Sequence, residues 1–301
     1  MQKILFKSLT DKVEKNRELV AIIIKEFFTQ CDDLTLSIPY LLPIIVERLN
    51  ADDLEGIDYI EEKMRPTSNQ KAQVISDPPE KSEAVRVQLA EIMTIILANT
   101  LFDCLRPYID NLVNICKALC MDPYGEVIIE GTRAIAELSR AGGDQLIHFC
   151  DPMGRSLFTS FVHKHAKVRM AGLRALFDVL CTGQWKNSVY VFEAMIGFRD
   201  PNIVPIREFY DPTTKVNYFA MFIADRSIAC RKCFYKTMAQ LLLDLPDRCD
   251  HEGRIFPYII SGLYDPNDEI KSMCFELIEE IGLRHEEENE EKFRELKQFG
   301  F

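Results

Sequence analysis

Cys230-x-x-Cys233, followed by Cys249-Asp-His251, is the first group whose residue types could do chemistry. Three thiolates and an imidazole at that spacing loosely resemble a tetrahedral zinc site, which needs four donors converging on one point. His163-Lys-His165 is the second: two imidazoles two residues apart could share a metal at a loop. Each group has a plainer reading. Cys230 falls on an apolar position of a helical pattern, where a free thiol acts as a small apolar residue, and Cys233 falls on the next helical face. Nothing nearby completes a site around the two histidines, which read as an exposed turn. His148, His251 and His285 have no carboxylate or cysteine at catalytic spacing, and the sequence contains no G-x-S-x-G, P-loop, G-x-G-x-x-G or H-E-x-x-H. Gly142-Gly143 reads as a helix ending, not a phosphate cradle, and Trp185, between helices, as packing. The expectation is therefore no catalytic residue, no bound metal, no cofactor and no enzyme.

The elements that must carry these residues repeat. From Asp265 to Ile281 an acid precedes a helix whose apolar positions, Ile270, Cys274, Leu277, Ile278 and Ile281, share one face at 3.6 residues per turn. Equivalent anchors are Cys230, Val168, Val127, Val85 and, more loosely, Asn16; three of the five intervals lie near 41 residues. Eight residues on stand Ile24, Met93, Ile135, Leu176, Met238 and Ile278; eleven on stand Phe27, Ile96, Leu138, Val179, Leu241 and Ile281. All are apolar. One residue past the anchor the chain reads Arg17, Arg86, Ile128, Arg169, Arg231, Lys271, and five before it Asp11, Glu80, Asp122, His163, Asp225, Asp265. Each series is of one charge sign in five of six places. Apolar periodicity comes with any amphipathic helix; a charge pair locked to its phase does not. The acid can take orphan backbone N–H groups at the helix start, and the base can reach the acid of its own or a neighbouring repeat. A ladder through Asp11, Arg17, Arg86, Asp122, Arg169, Asp225, Arg231, Asp265 and Lys271 would fix the rotation between repeats.

A second apolar run follows each such helix, near Tyr40–Val46, Tyr108–Ile115, Leu157–Phe161, Tyr190–Ile196 and Ile255–Ile260. Helix, turn and helix in about 40 residues is the content of HEAT or armadillo repeats, and the Asp/Arg pair favours HEAT. The fold expected is all-α, a right-handed α-solenoid of about six HEAT-type hairpins with two insertions. The units are 1–50, a candidate end cap, then 81–120, 121–162, 163–197, 225–264 and 265–301. The insertion 51–80 is polar, with one short helix near Ile57–Met64. The insertion 198–224 holds Tyr210, Tyr218, Phe219 and Phe222, which read as rings packed back on the solenoid or as a partner-binding loop, the former favoured. A separate final helix near Glu286–Phe299 starts with acids, where the dipole favours them.

Composition narrows the partners. The net charge of −11 argues against nucleic-acid phosphates and anionic lipid, and allows basic or neutral proteins. No run of 18 apolar residues suggests a membrane span, and Met-Gln-Lys-Ile-Leu-Phe-Lys has no signal-peptide pattern. The ten cysteines form no disulfide framework; Cys116, Cys120, Cys230, Cys233 and Cys274 lie in helical patterns. That suits a reducing compartment, cytoplasm or nucleus.

Asp122-Pro-Tyr-Gly-Glu-Val127, His163-Lys-His-Ala-Lys-Val-Arg169 and above all Glu279-Glu-Ile-Gly-Leu283 with Glu288-Asn-Glu-Glu291 resemble the N-terminal part of the HEAT-repeat dynein axonemal assembly factors, the fifth of that group. The resemblance covers most of residues 85–299, with 198–224 unplaced. It implies a non-catalytic cytoplasmic factor, associated with cilia, that helps preassemble the dynein arms of motile cilia. Its implied partners are axonemal dynein chains, chaperones or other assembly factors. The alternative is a HEAT scaffold of another kind, transport-receptor-like or a phosphatase-regulatory adaptor, although no regular Trp and Asn array marks the second helices.

Overall fold

The computed structural model describes residues 2–31, 33–51, 78–182, 218–245 and 248–298. Among these there is no strand. The expected helix near 57–64, the apolar run 190–196, Trp185, and the insertions 51–80 and 198–224 except Ala51, 78–80 and 218–224 lie outside the described set. The chain divides into two compact units, Met1–Gly183 and Gln184–Phe301.

In the first unit the helices are α1 (Gln2–Lys7), α2 (Glu14–Thr29), α3 (Ile38–Leu49), α4 (Glu83–Asn99), α5 (Phe102–Leu105), α6 (Ile109–Cys120), α7 (Gly125–Gly142), α8 (Cys150–Ser156), α9 (Phe158–Phe161) and α10 (Ala166–Cys181). The first helices of the repeats, α2, α4, α7 and α10, pack side by side in one layer; α3, α6 and α8 pack in sequence in a second. The anchor frame is what they bury. Val85, Val127, Val168 and the positions eight and eleven residues beyond each are all buried, every large side chain contributing roughly 1.5–3 kcal/mol. At the start of the stack the pattern loosens: Ile24 is buried but Phe27 is exposed.

Local signals set the helix ends. The Ser82 hydroxyl accepts the Val85 N–H at the start of α4. Asn50, in the left-handed region at φ 54°, ends α3, a conformation that Asn tolerates better than most residues. Glycine decides how closely the layers meet. A Cβ on Gly131 of α7 would stand 2.7 Å from the Leu119 backbone, and one on Gly172 of α10 would stand 1.8 Å from the Ser160 hydroxyl. The second helix of one repeat thus lies almost on the backbone of the next repeat's first helix.

The second unit holds α11 (Tyr218–Ile223), α12 (Ile228–Asp244), α13 (Arg248–Ser261) and α14 (Asp268–Gln298). α12 packs on both α13 and α14. The end of the aromatic insertion is buried here: Phe219 meets Phe234 and Tyr258 edge-on at 5.6 and 5.4 Å, and Phe222 stacks on Phe234 at 5.7 Å. Tyr218 is buried as well. The separate acidic helix expected near 286–299 is a correction. α14 runs unbroken for 31 residues, because nothing between Ile281 and Glu288 stops it and Arg284–Glu288 and Glu290–Arg294 pairs brace it at i, i+4. The acids therefore sit mid-helix, away from the positive end of the dipole.

Candidate functional site

Every described repeat opens with the same turn. Five residues before the anchor, a side-chain oxygen accepts the N–H two residues on: Asp11 from Val13 at 2.7 Å, Glu80 from Ser82 at 3.0 Å, and Asp122 from Tyr124 at 2.8 Å. Asp225 accepts from Ser227 and Asp265 from Asn267, both at 2.8 Å. This local turn is what Asp does best at a helix start.

The arginine one residue past the anchor reaches back to the same turn. Its Nη1 donates to the main-chain carbonyl six residues earlier: Arg17 to Asp11 at 2.9 Å, Arg86 to Glu80 at 3.0 Å, Arg169 to His163 and Arg231 to Asp225 at 2.7 Å. Its other edge points forward. Arg17 holds Glu80 through Nε and Nη2, both at 2.7 Å. Arg86 holds Asp122 at 2.7 and 3.0 Å, and Arg231 holds Asp265 at the same two distances. One planar fork thereby ties the opening turns of two successive repeats, a geometry that Lys cannot reproduce. Glu80 also has the Arg48 guanidinium at 3.8 Å.

These pairs are buried, so the charged state needs support. For Glu80 and Asp265, burial works to raise the pKa, but the arginine bonds and the turn N–H outweigh it and hold both carboxyls below their usual value. Arg17 and Arg231 are raised, chiefly by those same bonds.

Of the nine ladder residues, the structure brings together Arg17 with the Asp11 turn, Arg86 with Asp122, and Arg231 with Asp265 and the Asp225 turn. Arg169 bonds its own opening turn. Lys271 pairs within its helix with Asp268 at 2.7 Å. Sequence reasoning saw two separate exceptions, Ile128 and His163. With each base facing the following repeat's acid, these are the two halves of one rung. Ile128 is buried. The His163 Nδ1 takes the turn's role, accepting the His165 N–H at 3.1 Å, and its ring lies 3.2 Å from where a Gly125 Cβ would be. Burial, then His165 and Lys164, push its pKa down. His163 is half-buried, and a carboxylate there would lack the arginine fork that the preceding repeat supplies elsewhere, since here that repeat supplies Ile128; a neutral imidazole fills the turn without a charge that needs one. Lateral ion pairs between first helices, Lys25–Glu91 at 2.8 Å and Arg140–Asp178 at 2.7 Å, also went unread. They sit at unrelated phases of the repeat, so no pattern flags them.

Where zinc was weighed, Cys230 is buried and Cys249 exposed, and among the described residues no three of His, Cys, Asp and Glu are grouped to hold a metal. Burial raises the Cys120 and Cys274 thiols to about 12 and Cys116 well above its usual value, so none of the three is a thiolate nucleophile.

A family model described as Dynein axonemal assembly factor 5-like, TPR repeats, matches residues 1–70, 71–196 and 213–297. The chain belongs to that family. Its curated relatives include dynein axonemal assembly factor 5 of Xenopus laevis, 23% identical over 295 residues, and that of Mus musculus, 24% over the same length; each match covers 98% of this chain and 29% of the relative. The chain thus spans under a third of the length of these relatives. Among solved structures, a designed armadillo repeat protein in complex with peptide (KR)4 has a TM-score of 0.56 at 12% identity, covering 92% of this chain and 98% of that one. Computationally designed armadillo repeat proteins for modular peptide recognition reach 0.54 at 12%, covering 93% and 99%. These likenesses establish an all-α repeat-solenoid fold. The repeat spacing near 41 residues falls in the HEAT and armadillo range.

Proposed function

We propose that this member of the dynein axonemal assembly factor 5-like family is a non-catalytic scaffold for cytoplasmic preassembly of axonemal dynein arms. The observation that carries the reading is the family match, which takes in nearly the whole chain. The architecture supports it: stacked hairpins held in register by buried arginine rungs present surface rather than a reactive cleft. In this reading the second helices hold a client, either an axonemal dynein chain, a chaperone or another assembly factor. The solenoid neighbour that holds a (KR)4 peptide, together with the net charge of −11, favours a second reading, an adaptor for basic peptide segments in another pathway.

Loss of the gene in a ciliated cell, with cilium length scored apart from beating, separates the two. Cilia of normal length that do not beat and lack dynein arms are expected. Intact arms on beating cilia would defeat the assembly role, and recovery of nuclear-transport cargo alone from cytosol would favour the adaptor.

A further inference from the structure

The opening turns of the described repeats differ in the atom that holds them. At Asp11, Glu80, Asp122, Asp225 and Asp265 a carboxylate oxygen accepts the N–H two residues on. At His163 an imidazole nitrogen does, Nδ1 taking the His165 N–H at 3.1 Å. An imidazole nitrogen accepts only while it carries no proton; once protonated it is a donor facing a donor. The charged groups that act on the ring, His165, Lys164 and Arg169, all come from its own turn and helix. From α7 it meets Gly125; the neighbouring Glu126 is exposed and acts on Tyr124. α9 carries no titratable side chain. A proton added to the ring thus enters a turn that already holds Lys164, Lys167 and Arg169.

The same junction has no fork from the preceding repeat. Within the first unit, Arg17 ties one opening turn to Glu80 and Arg86 ties the next to Asp122, but the repeat that opens at Asp122 presents buried Ile128. Between the openings of α7 and α10 stand apolar contacts, Gly125 against Val168, and the imidazole. Further along, the two repeats are held firmly. Gly172, mid-way along α10, sits against Ser160 of the preceding repeat, and Arg140 near the end of α7 reaches Asp178 near the end of α10 at 2.7 Å. One end is clamped, and the other rests on a titratable acceptor. Element ends that absorb a change of backbone angle are where hinges sit.

We propose that the junction between the repeats at 121–162 and 163–182 is a proton-gated hinge: proton uptake at His163 Nδ1 releases the opening turn of α10, whose edge then parts from α7 while the Arg140–Asp178 end stays closed. The movement changes the angle between α7 and α10 and leaves both helices intact. Because the closed turn needs the neutral ring, closure is complete above the ordinary histidine value of about 6.5 and weakens as pH falls below it.

Residue-resolved amide hydrogen exchange of the full chain reads this, taken at about pH 7.5 and about pH 5.5, on either side of the histidine range. Each rate is expressed as protection relative to an unstructured chain at the same pH. On acidification the His165 N–H is expected to lose protection roughly three- to tenfold. The Val168 and Arg169 N–H groups, both bonded to the His165 carbonyl oxygen, and the Ile128 N–H at the start of α7 should follow it. Val179 and Leu180, beside Asp178, should not change. Nor should the Ser82 N–H, whose acceptor Glu80 is held below the usual carboxylate range. H163N keeps an oxygen for the N–H two residues on and takes up no proton, so its His165 protection should be the same at both pH values. A wild type with no pH dependence at His165 overturns the proposal, as does a dependence that persists in H163N. Equal loss at Ser82 would mean global unfolding, and loss confined to 163–169 would mean fraying of one turn; either also overturns the hinge.

Discussion

Arg86 stands with its Nε 2.7 Å and its Nη2 3.0 Å from the two Asp122 oxygens, while its Nη1 donates to the Glu80 carbonyl oxygen. Both side chains are almost fully buried. The pair therefore spans two repeats in a place where neither charge has water to fall back on. Removing one partner strands the other. R86A is expected to cost about 3–5 kcal/mol in denaturant unfolding, and R86A/D122N much less than the sum of its single changes. D122N is the informative partner because its amide oxygen can still take the Tyr124 N–H. Strict additivity in the double-mutant cycle would show that the fork does not couple the repeats.

The neutral rung makes the converse prediction. Ile128 and His163 depart from the ladder together, and each alone is compatible only with the other. I128R buries a guanidinium with no carboxylate in the next repeat's turn; H163D places a half-buried carboxylate in that turn with no arginine supplied by the preceding repeat. Each should destabilise by roughly 1–3 kcal/mol. The double variant I128R/H163D introduces the kind of pair seen at Arg86–Asp122 and Arg231–Asp265 and should recover most of that loss. Chemical denaturation of the four proteins checks it, and a double variant as poor as the worse single one would refute the shared-rung assignment.

The period of the repeat was legible because burial enforces it: a polar residue at Val127, Ile135 or Leu138 would open the layer between repeats. The charge phase was legible for the same reason, since a buried acid and base can occupy only the positions that face each other. What the letters did not carry was direction. Asp265 lies as close in sequence to Lys271 as to any base, yet it is Arg231, from the preceding repeat, that holds it. Nor did the acids after Leu283 reveal that α14 continues through them. A polar stretch reads alike whether it leaves a helix or prolongs one into water.

Two pH windows follow from the site. His163 is held below the ordinary histidine value of about 6.5, so the unfolded chain binds its proton first and stability declines as pH falls from there through the folded value. Asp265 and Glu80 are likewise depressed. Their contribution is complete above the usual carboxylate range near 4 and is lost as pH drops through their folded values. Melting temperature against pH should thus fall in two stages, and H163Q should remove the upper one while leaving the lower. A single acid transition, identical in H163Q, would exclude His163 from the stability of this turn.

The close approach of the layers at Gly172 gives the last test. An added Cβ there would overlap the Ser160 hydroxyl, which itself bonds the Leu157 carbonyl oxygen at 2.5 Å. G172A gains helix propensity of about 1 kcal/mol, yet the clash should reverse the sign and leave the protein less stable by roughly 1–3 kcal/mol. S160A removes the nearest atom but leaves its Cβ 2.9 Å from the new methyl, so G172A/S160A should recover part of the loss, not all. Gly131 offers no such relief, since its neighbour is the Leu119 backbone; no side-chain truncation there can rescue G131A. Thermal unfolding of the three variants decides between a contact set by backbone proximity and one set by propensity alone, for the latter predicts that all of them melt above the wild type.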